Sequence, residues 1–302
     1  MHVLITGGTG FIGRELAASL LSDGHAVTVL TREITSAGNR VPNGAKAIRD
    51  LAKAEPVDAV VNLAGASLGG ARWNAVTKMG FRTSRIDTTR RLVEWISRLP
   101  VKPKVLVSGS AIGWYGPHGD EKLTEREPAG DDFSATLCRD WEAEAGKAAA
   151  LGVRVCTLRT GIVLGPDGPA GGGALAQMLP AFRLGGGGPM GSGKQWMSWV
   201  HRADLVALIR FLIEREVAAG PYNGTAPEPV TNAEFAKTLG RVLSRPAFLP
   251  MPGFALKMIV GEMAEILLTG QRVIPQAALD QGFAFRFPTL DAALRDVLGR
   301  AA

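Results

Sequence analysis

The chain has 302 residues, 46% hydrophobic and 21% charged, enough for one large α/β domain or one and a half domains and too apolar for a disordered or fibrous chain. Its net charge of +6 comes from scattered basic residues with no nucleic-acid-binding motif. A basic cleft for an anionic cofactor or small-molecule substrate accounts for that charge, and nucleic acid is not expected as a partner.

Two cysteines, Cys138 and Cys156, cannot build a disulfide framework, and no Cys/His cluster has zinc spacing, so no metal is expected. The apolar N-terminus is strand-length without a basic leader. The apolar run 254–268 is broken by Lys257, Glu262 and Glu265, short of the roughly 18 unbroken residues of a membrane span. The expectation is a soluble, cytoplasmic protein, monomer or homodimer, with no membrane contact.

In chain order, His2 to Thr6 read as a short buried strand, Gly7, Gly10 and Gly13 as a tight turn, and 11–21 as a helix. A strand entering a helix through glycines is an anion cradle. Backbone N–H groups and the positive helix end converge there, and a Cβ would hold a phosphate off the backbone. Gly7, Thr9, Gly10, Phe11, Ile12 and Gly13 are therefore candidate cofactor contacts. Strands follow at 26–30, 46–48, 59–63, 105–108 and 153–158, with helical stretches at 83–99 and 137–151. Near-continuous β-branched runs between amphipathic helices predict an α/β fold, a doubly wound parallel sheet covered on both faces, with ligands outside the carboxyl ends of its strands.

From Gly165 the pattern changes. Glycine-rich stretches at 165–173 and 183–194 flank a helical piece near 175–182. The strand-like WMSWV, a helix at 205–216 and further helical segments complete the chain. This predicts an NADP-binding domain over 1–164, completed by parts of 195–225, and a smaller C-terminal α/β substrate lobe over 165–302. Gly188 to Lys194 spells the start of a P-loop, but Gln195 stands where a metal-binding hydroxyl belongs and no strong helix follows, so a ligand-covering loop is the better reading.

The end of the second strand meets the adenosine ribose in such folds. Thr31 and Arg32 come first there and the acidic Glu33 only after them, which favours NADP, since a guanidinium suits a 2′-phosphate. Asp50 and Leu51 follow the third strand and could border the adenine. Leu63, Ala64 and Gly65 end the fourth and put backbone and small groups beside the cofactor.

GGTGFIG, NLAG, VSGSAIGWYG, LRTGIVLGP and GSGKQWMSWVHRADL, in this order, resemble the extended short-chain dehydrogenase/reductase superfamily of nucleotide-sugar epimerases and dehydratases. Arg72 and Trp73, SRIDTT, CRDWEA, GPYNGTAPEPVTNAEFA and GEMAEILLTGQRV resemble its atypical "epimerase family" subgroup. That subgroup carries a C-terminal domain of unknown function and is sometimes named as cell-division-inhibitor homologues. The resemblance spans essentially the whole chain and implies a Rossmann domain binding NADP, with a substrate lobe.

The superfamily's usual catalysts, a Tyr with a Lys four residues on, are missing. Tyr115 is followed by Gly119 and Tyr222 by Ala226. Ser110, at the position of the superfamily's catalytic hydroxyl, is either a hydrogen-bond donor to a substrate oxygen or a strand-end serine satisfying backbone. Tyr115 is either a substitute phenol or a packed aromatic. Arg85 either reaches the cofactor phosphates or forms a surface salt bridge. Cys138 reads as an inert thiol, Asp204 as the cap of the helix at 205, and His201 as packing between the lobes.

Two functions fit. One is an NADP-dependent oxidoreductase or epimerase-like enzyme for a small or sugar-like substrate. The other is a non-catalytic NADP(H)-binding sensor or regulatory protein. A cell-division role follows only from the subgroup's name.

Overall fold

The computed structural model describes residues 1–32, 41–70, 72–166 and 173–300. Glu33 and most of the glycine-rich stretch after Gly165 lie outside the described residues.

The first half runs β1 (His2–Thr6), α1 (Gly13–Ser22), β2 (Ala26–Leu30), β3 (Lys46–Ile48), β4 (Ala59–Asn62), α2 (Ala75–Arg98), β5 (Val105–Ala111), β6 (Lys122–Leu123), α3 (Phe133–Gly146), β7 (Arg154–Thr160) and β8 (Ile162–Leu164). The second half runs α4 (Ala174–Arg183), β9 (Trp196–Met197), β10 (Trp199–His201), α5 (Arg202–Glu214), β11 (Gly220–Gly224), β12 (Val230–Thr231), α6 (Asn232–Leu243), α7 (Gly253–Val260), α8 (Ala264–Thr269), β13 (Arg272–Val273), α9 (Gln276–Asp280) and α10 (Leu290–Val297).

Among the described residues, seven strands form one sheet in the order β11-β7-β5-β4-β1-β2-β3, all parallel. The alternation of strand side chains sorts the core. Val3, Ile5, Val61 and Val107 face Leu16, Leu20, Ile209 and Leu212 of α1 and α5. Leu4, Val60 and Leu106 face Leu92, Ile96 and Ala145 of α2 and α3. Burial on both faces is why these strands read as unbroken apolar runs. The order reverses between β1 and β4, and in such sheets the crevice outside the carboxyl edge there is where ligands bind.

A second core gathers Leu164, Phe182, Trp199, Phe235, Leu239, Phe287 and Leu294. Met263 and Ile266, beside and within α8, pack against Trp73, Phe81, Ile86 and Leu137. The C-terminal segments thus lean on the helices above the sheet's carboxyl edge. No helix among the described residues is long and apolar enough to cross a membrane.

Several boundaries differ from the sequence expectation. The helix expected from residue 83 starts at Ala75, because Asn74 and Thr77 cap each other reciprocally. WMSWV divides, β9 pairing antiparallel with β12 and β10 parallel with β8. The P-loop-like stretch runs into β9 rather than a helix. Asp204 does not cap α5. The His201 ring does, accepting from Ala203 N at 3.1 Å, while buried Asp204 accepts from the backbone of Arg286 and Phe287 at 2.8 and 2.9 Å. His201 itself lies against Phe287, ring centroids 4.0 Å apart.

Candidate active site

Backbone packing builds the cradle. Gly7 sits at φ +71°, where a Cβ would meet the carbonyl oxygen of Leu63 at 2.5 Å; only glycine lets β1 turn away beside the end of β4. A Cβ on Gly13 would stand 2.8 Å from Gly8 Cα and overlap the Gly7 carbonyl. Gly10 N donates to Gly7 O at 2.9 Å, which closes the turn. Ile12, at the N-cap of α1, offers no side-chain cap. Within the first turn Arg14 N donates to Gly10 O at 3.1 Å, and the helix dipole at this end favours an anion. Phe11 supports the turn from the other side. Arg202 stacks on its ring at 4.8 Å, and Gly165 and Gly173 approach so closely that a Cβ on either would touch it.

Arg32, just beyond β2, is exposed and makes no ion pair among the described residues. Thr31 N donates to Ile48 O at 2.9 Å, holding the end of β2 against β3. Asp50 turns its carboxylate to Ala52 N at 3.0 Å, and Leu51, partly buried, packs against the Leu4 and Val60 core.

The Leu63–Ala64–Gly65 turn is tied to β1. Leu63 N donates to Thr6 O at 3.1 Å and Ala64 N to Thr6 Oγ1 at 3.2 Å. Beneath it, Asn62 accepts from Thr6 Oγ1 at 2.6 Å and donates to Thr89 and Ser108 at 2.8 and 3.2 Å. This buried network locks three strand ends and α2 together. Arg85 forms no salt bridge among the described residues. Its guanidinium reaches Phe81 O at 3.2 Å and Ala66 O at 3.0 Å, lies over Trp141, and would touch a Cβ on Gly65 at 3.0 Å.

Ser110, at the end of β5, is 5% exposed and does not bond backbone. Its hydroxyl donates to Glu142 Oε1 at 2.6 Å. Arg159, paired with Ser110 across the β5–β7 register, holds that carboxylate through Nε at 2.9 Å and Nη2 at 3.1 Å. The guanidinium also stacks on Trp114 at 3.8 Å. Glu142 and Arg159 are the residues sequence reading missed; the CRDWEA and LRTG segments contain them, but only the fold brings them together.

Tyr115 takes the packed position of the two that the sequence left open. It is 1% exposed, its hydroxyl donates to Asn223 Oδ1 at 2.7 Å and accepts from Arg159 at 3.2 Å, and burial pushes its pKa to about 12. Asn223, in β11, in turn donates to Ile274 O, so its amide joins the Tyr115 loop to the C-terminal segments. Cys138 is likewise buried, its thiol pushed up to about 11 chiefly by desolvation, an inert state.

A separate cavity of about 610 Å³ opens where Arg72, Trp73 and Asn74 face Lys257, Gly261, Glu262 and Glu265. No cradle or strand-end residue lines it. The Glu142–Arg159 pair lies instead beside Ser110, at the carboxyl ends of β5 and β7.

Residues 3–223 match the model of the NAD dependent epimerase/dehydratase family, and residues 251–297 match a domain of unknown function, DUF1731. The chain is 43% identical to the chloroplastic epimerase family protein SDR39U1 homolog of Arabidopsis thaliana, over 99% of this chain and 87% of that one. It is 39% identical to human epimerase family protein SDR39U1, over 99% of this chain and 100% of that one. A crystal structure of the human protein (isoform 2) with NADPH matches at TM-score 0.89 and 37% identity, covering 100% of both chains. A UDP-glucose 4-epimerase of Thermotoga maritima matches at TM-score 0.79 with 18% identity, over 99% of this chain and 98% of that one, a likeness of fold alone.

Proposed function

This chain belongs to the NAD dependent epimerase/dehydratase family, and we propose that it acts there as an NADP-dependent oxidoreductase or epimerase-like enzyme on a small or sugar-like substrate, without a Tyr–Lys pair. A close approach that only glycine permits at Gly7 and Gly13, together with an uncapped helix start, fits a pyrophosphate. The human relative described with NADPH supports the choice of cofactor. Gly7, Thr9, Gly10, Phe11, Ile12 and Gly13 would hold the pyrophosphate. Thr31 and Arg32 would hold the 2′-phosphate, Asp50 and Leu51 would border the adenine, and Leu63, Ala64 and Gly65, backed by Arg85, would line the remainder. Bound there, the nicotinamide supplies a carbon that accepts or gives up hydride.

The observation that carries the enzymatic reading is Ser110. It stands at the carboxyl end of β5, two strands from the cradle, and is bonded to the buried Glu142–Arg159 pair. Buried charge next to a hydroxyl at a ligand edge suits chemistry better than packing. The test is turnover: NADPH oxidation, or an epimerised product, across a panel of carbonyl and nucleotide-sugar compounds, abolished by Ser110→Ala.

A second reading, a non-catalytic NADP(H)-binding sensor or regulatory protein, draws on the internal commitment of both tyrosines, Tyr115 to Asn223 and Arg159 and Tyr222 to Gln281. NADPH binding with no turnover across that panel would favour it.

A further inference from the structure

Ser110 has a single hydroxyl proton, and its surroundings decide where that proton points. Glu142 Oε1 lies 2.6 Å from Ser110 Oγ, and both oxygens of the carboxylate are held by Arg159. A carboxylate gripped on both oxygens by a guanidinium carries its charge, and a charged carboxylate only accepts hydrogen bonds. The proton between Ser110 and Glu142 therefore sits on Ser110 and points at the carboxylate. The next group of α3, Cys138, lies within side-chain hydrogen-bonding reach of Ser110, sends its own proton to Ala111 O at 3.6 Å and, buried, brings no charge. What Ser110 retains is lone pairs.

We infer that Ser110 is a hydrogen-bond acceptor toward the ligand, that Glu142 and Arg159 are the positioning residues that fix this polarity, and that the site selects compounds presenting a hydroxyl or N–H to Ser110 over those presenting a bare carbonyl oxygen. The inference rests on Ser110 being the ligand-facing group of the proposed function. It reverses the donor role that the sequence suggests for Ser110, and it names the substrate class as alcohols or amines at the contacted position.

The experiment replaces the hydroxyl by a titratable reporter. In Ser110→Cys the new thiol faces the Glu142 carboxylate, so thiolate absorbance should give a pKa above the free-thiol value of about 8.5. In Ser110→Cys/Glu142→Gln the like charge is gone and the Arg159 cation remains, so that pKa should fall by at least about one unit, tenfold in thiolate fraction. Because Cys138 contacts Ser110, all variants carry Cys138→Ala, and Cys156 provides the background titration. A thiol at or below the ordinary value in Ser110→Cys alone would place the proton on Glu142 and overturn the inference, as would a pair of variants with equal values. The ligand arm uses cyclohexanol and cyclohexanone, one ring with opposite polarity at oxygen. Saturation transfer from the NADP-loaded protein should favour the alcohol at least threefold, and an equal or stronger ketone signal overturns the substrate class. The thiol titration needs neither cofactor nor turnover, so its failure is distinct from failure of the enzymatic reading.

Discussion

Arg159 closes on both carboxylate oxygens of Glu142, at 2.9 and 3.1 Å, with the two side chains only 3% and 11% exposed. The pair joins β7 to α3 at the carboxyl edge of the sheet, and neither charge has much water to fall back on. Arg159→Met should therefore cost about 3–5 kcal/mol, the penalty for leaving one buried charge without its partner. Glu142→Leu/Arg159→Met should recover most of that loss, because removing both charges removes the desolvation penalty. Urea unfolding of the three proteins checks this. A single variant as stable as the parent would mean that the pair is hydrated rather than buried.

Both tyrosines of the chain should titrate abnormally. Burial raises the phenol of Tyr115 to about 12 and also raises that of Tyr222, against an unfolded value of about 10. For an acid whose folded pKa is raised, the stabilisation is complete below the unfolded pKa. It is lost as the pH climbs from about 10 through 12. Tyrosinate absorbance should accordingly be small at pH 10 and appear together with unfolding above it. Reversible half-ionisation at pH 10, with the fold intact, would show Tyr115 open to solvent after all.

The extent to which sequence revealed this molecule follows how local each feature is. The cradle was legible because glycine spacing, the apolar strand before it and the helix after it all lie within the first 21 residues. The parallel sheet was legible for the same reason, each strand announcing itself in five or so residues. Glu142 and Arg159 were not, because their contact depends on the Ser110–Arg159 register across β5 and β7 and on how α3 packs over both. Helix periodicity shows that residue 142 is on a face, not which strand end that face meets. Asp204 misled for a related reason. An acid in the first turn of a helix usually serves that helix, but here a distant segment, Arg286–Phe287, claims it, and the neighbouring His201 takes over the cap. Tyr115 lay in a strand-end loop, where function is a fair expectation, but the loop folds inward onto Asn223.

The cofactor assignment turns on Arg32. The residue is exposed at the end of β2, where a guanidinium would suit a 2′-phosphate. Arg32→Asp should weaken NADPH by at least tenfold and leave NADH within about threefold, because only the former places a phosphate against the new carboxylate. Fluorescence titration with both cofactors measures this. Equal affinity for the two before and after the change would move the ribose site elsewhere.

Gly13 tests the cradle itself. A methyl group there meets the backbone of the turn, Gly8 Cα at 2.8 Å and the Gly7 carbonyl carbon at 2.9 Å, and backbone cannot step aside as a flexible side chain can. Gly13→Ala must push α1 away from the turn, which spreads the N–H groups meant to converge on a pyrophosphate. NADPH affinity should fall by at least tenfold, and overpacking should lower stability by about 1–3 kcal/mol. Gly146→Ala is the matched control. It ends α3 with nothing within 4 Å of the added Cβ, and alanine favours a helix over glycine by about 1 kcal/mol, so stability should hold or rise and NADPH binding should not move. If Gly13→Ala bound NADPH as tightly as the parent, the phosphates would not rest on this turn.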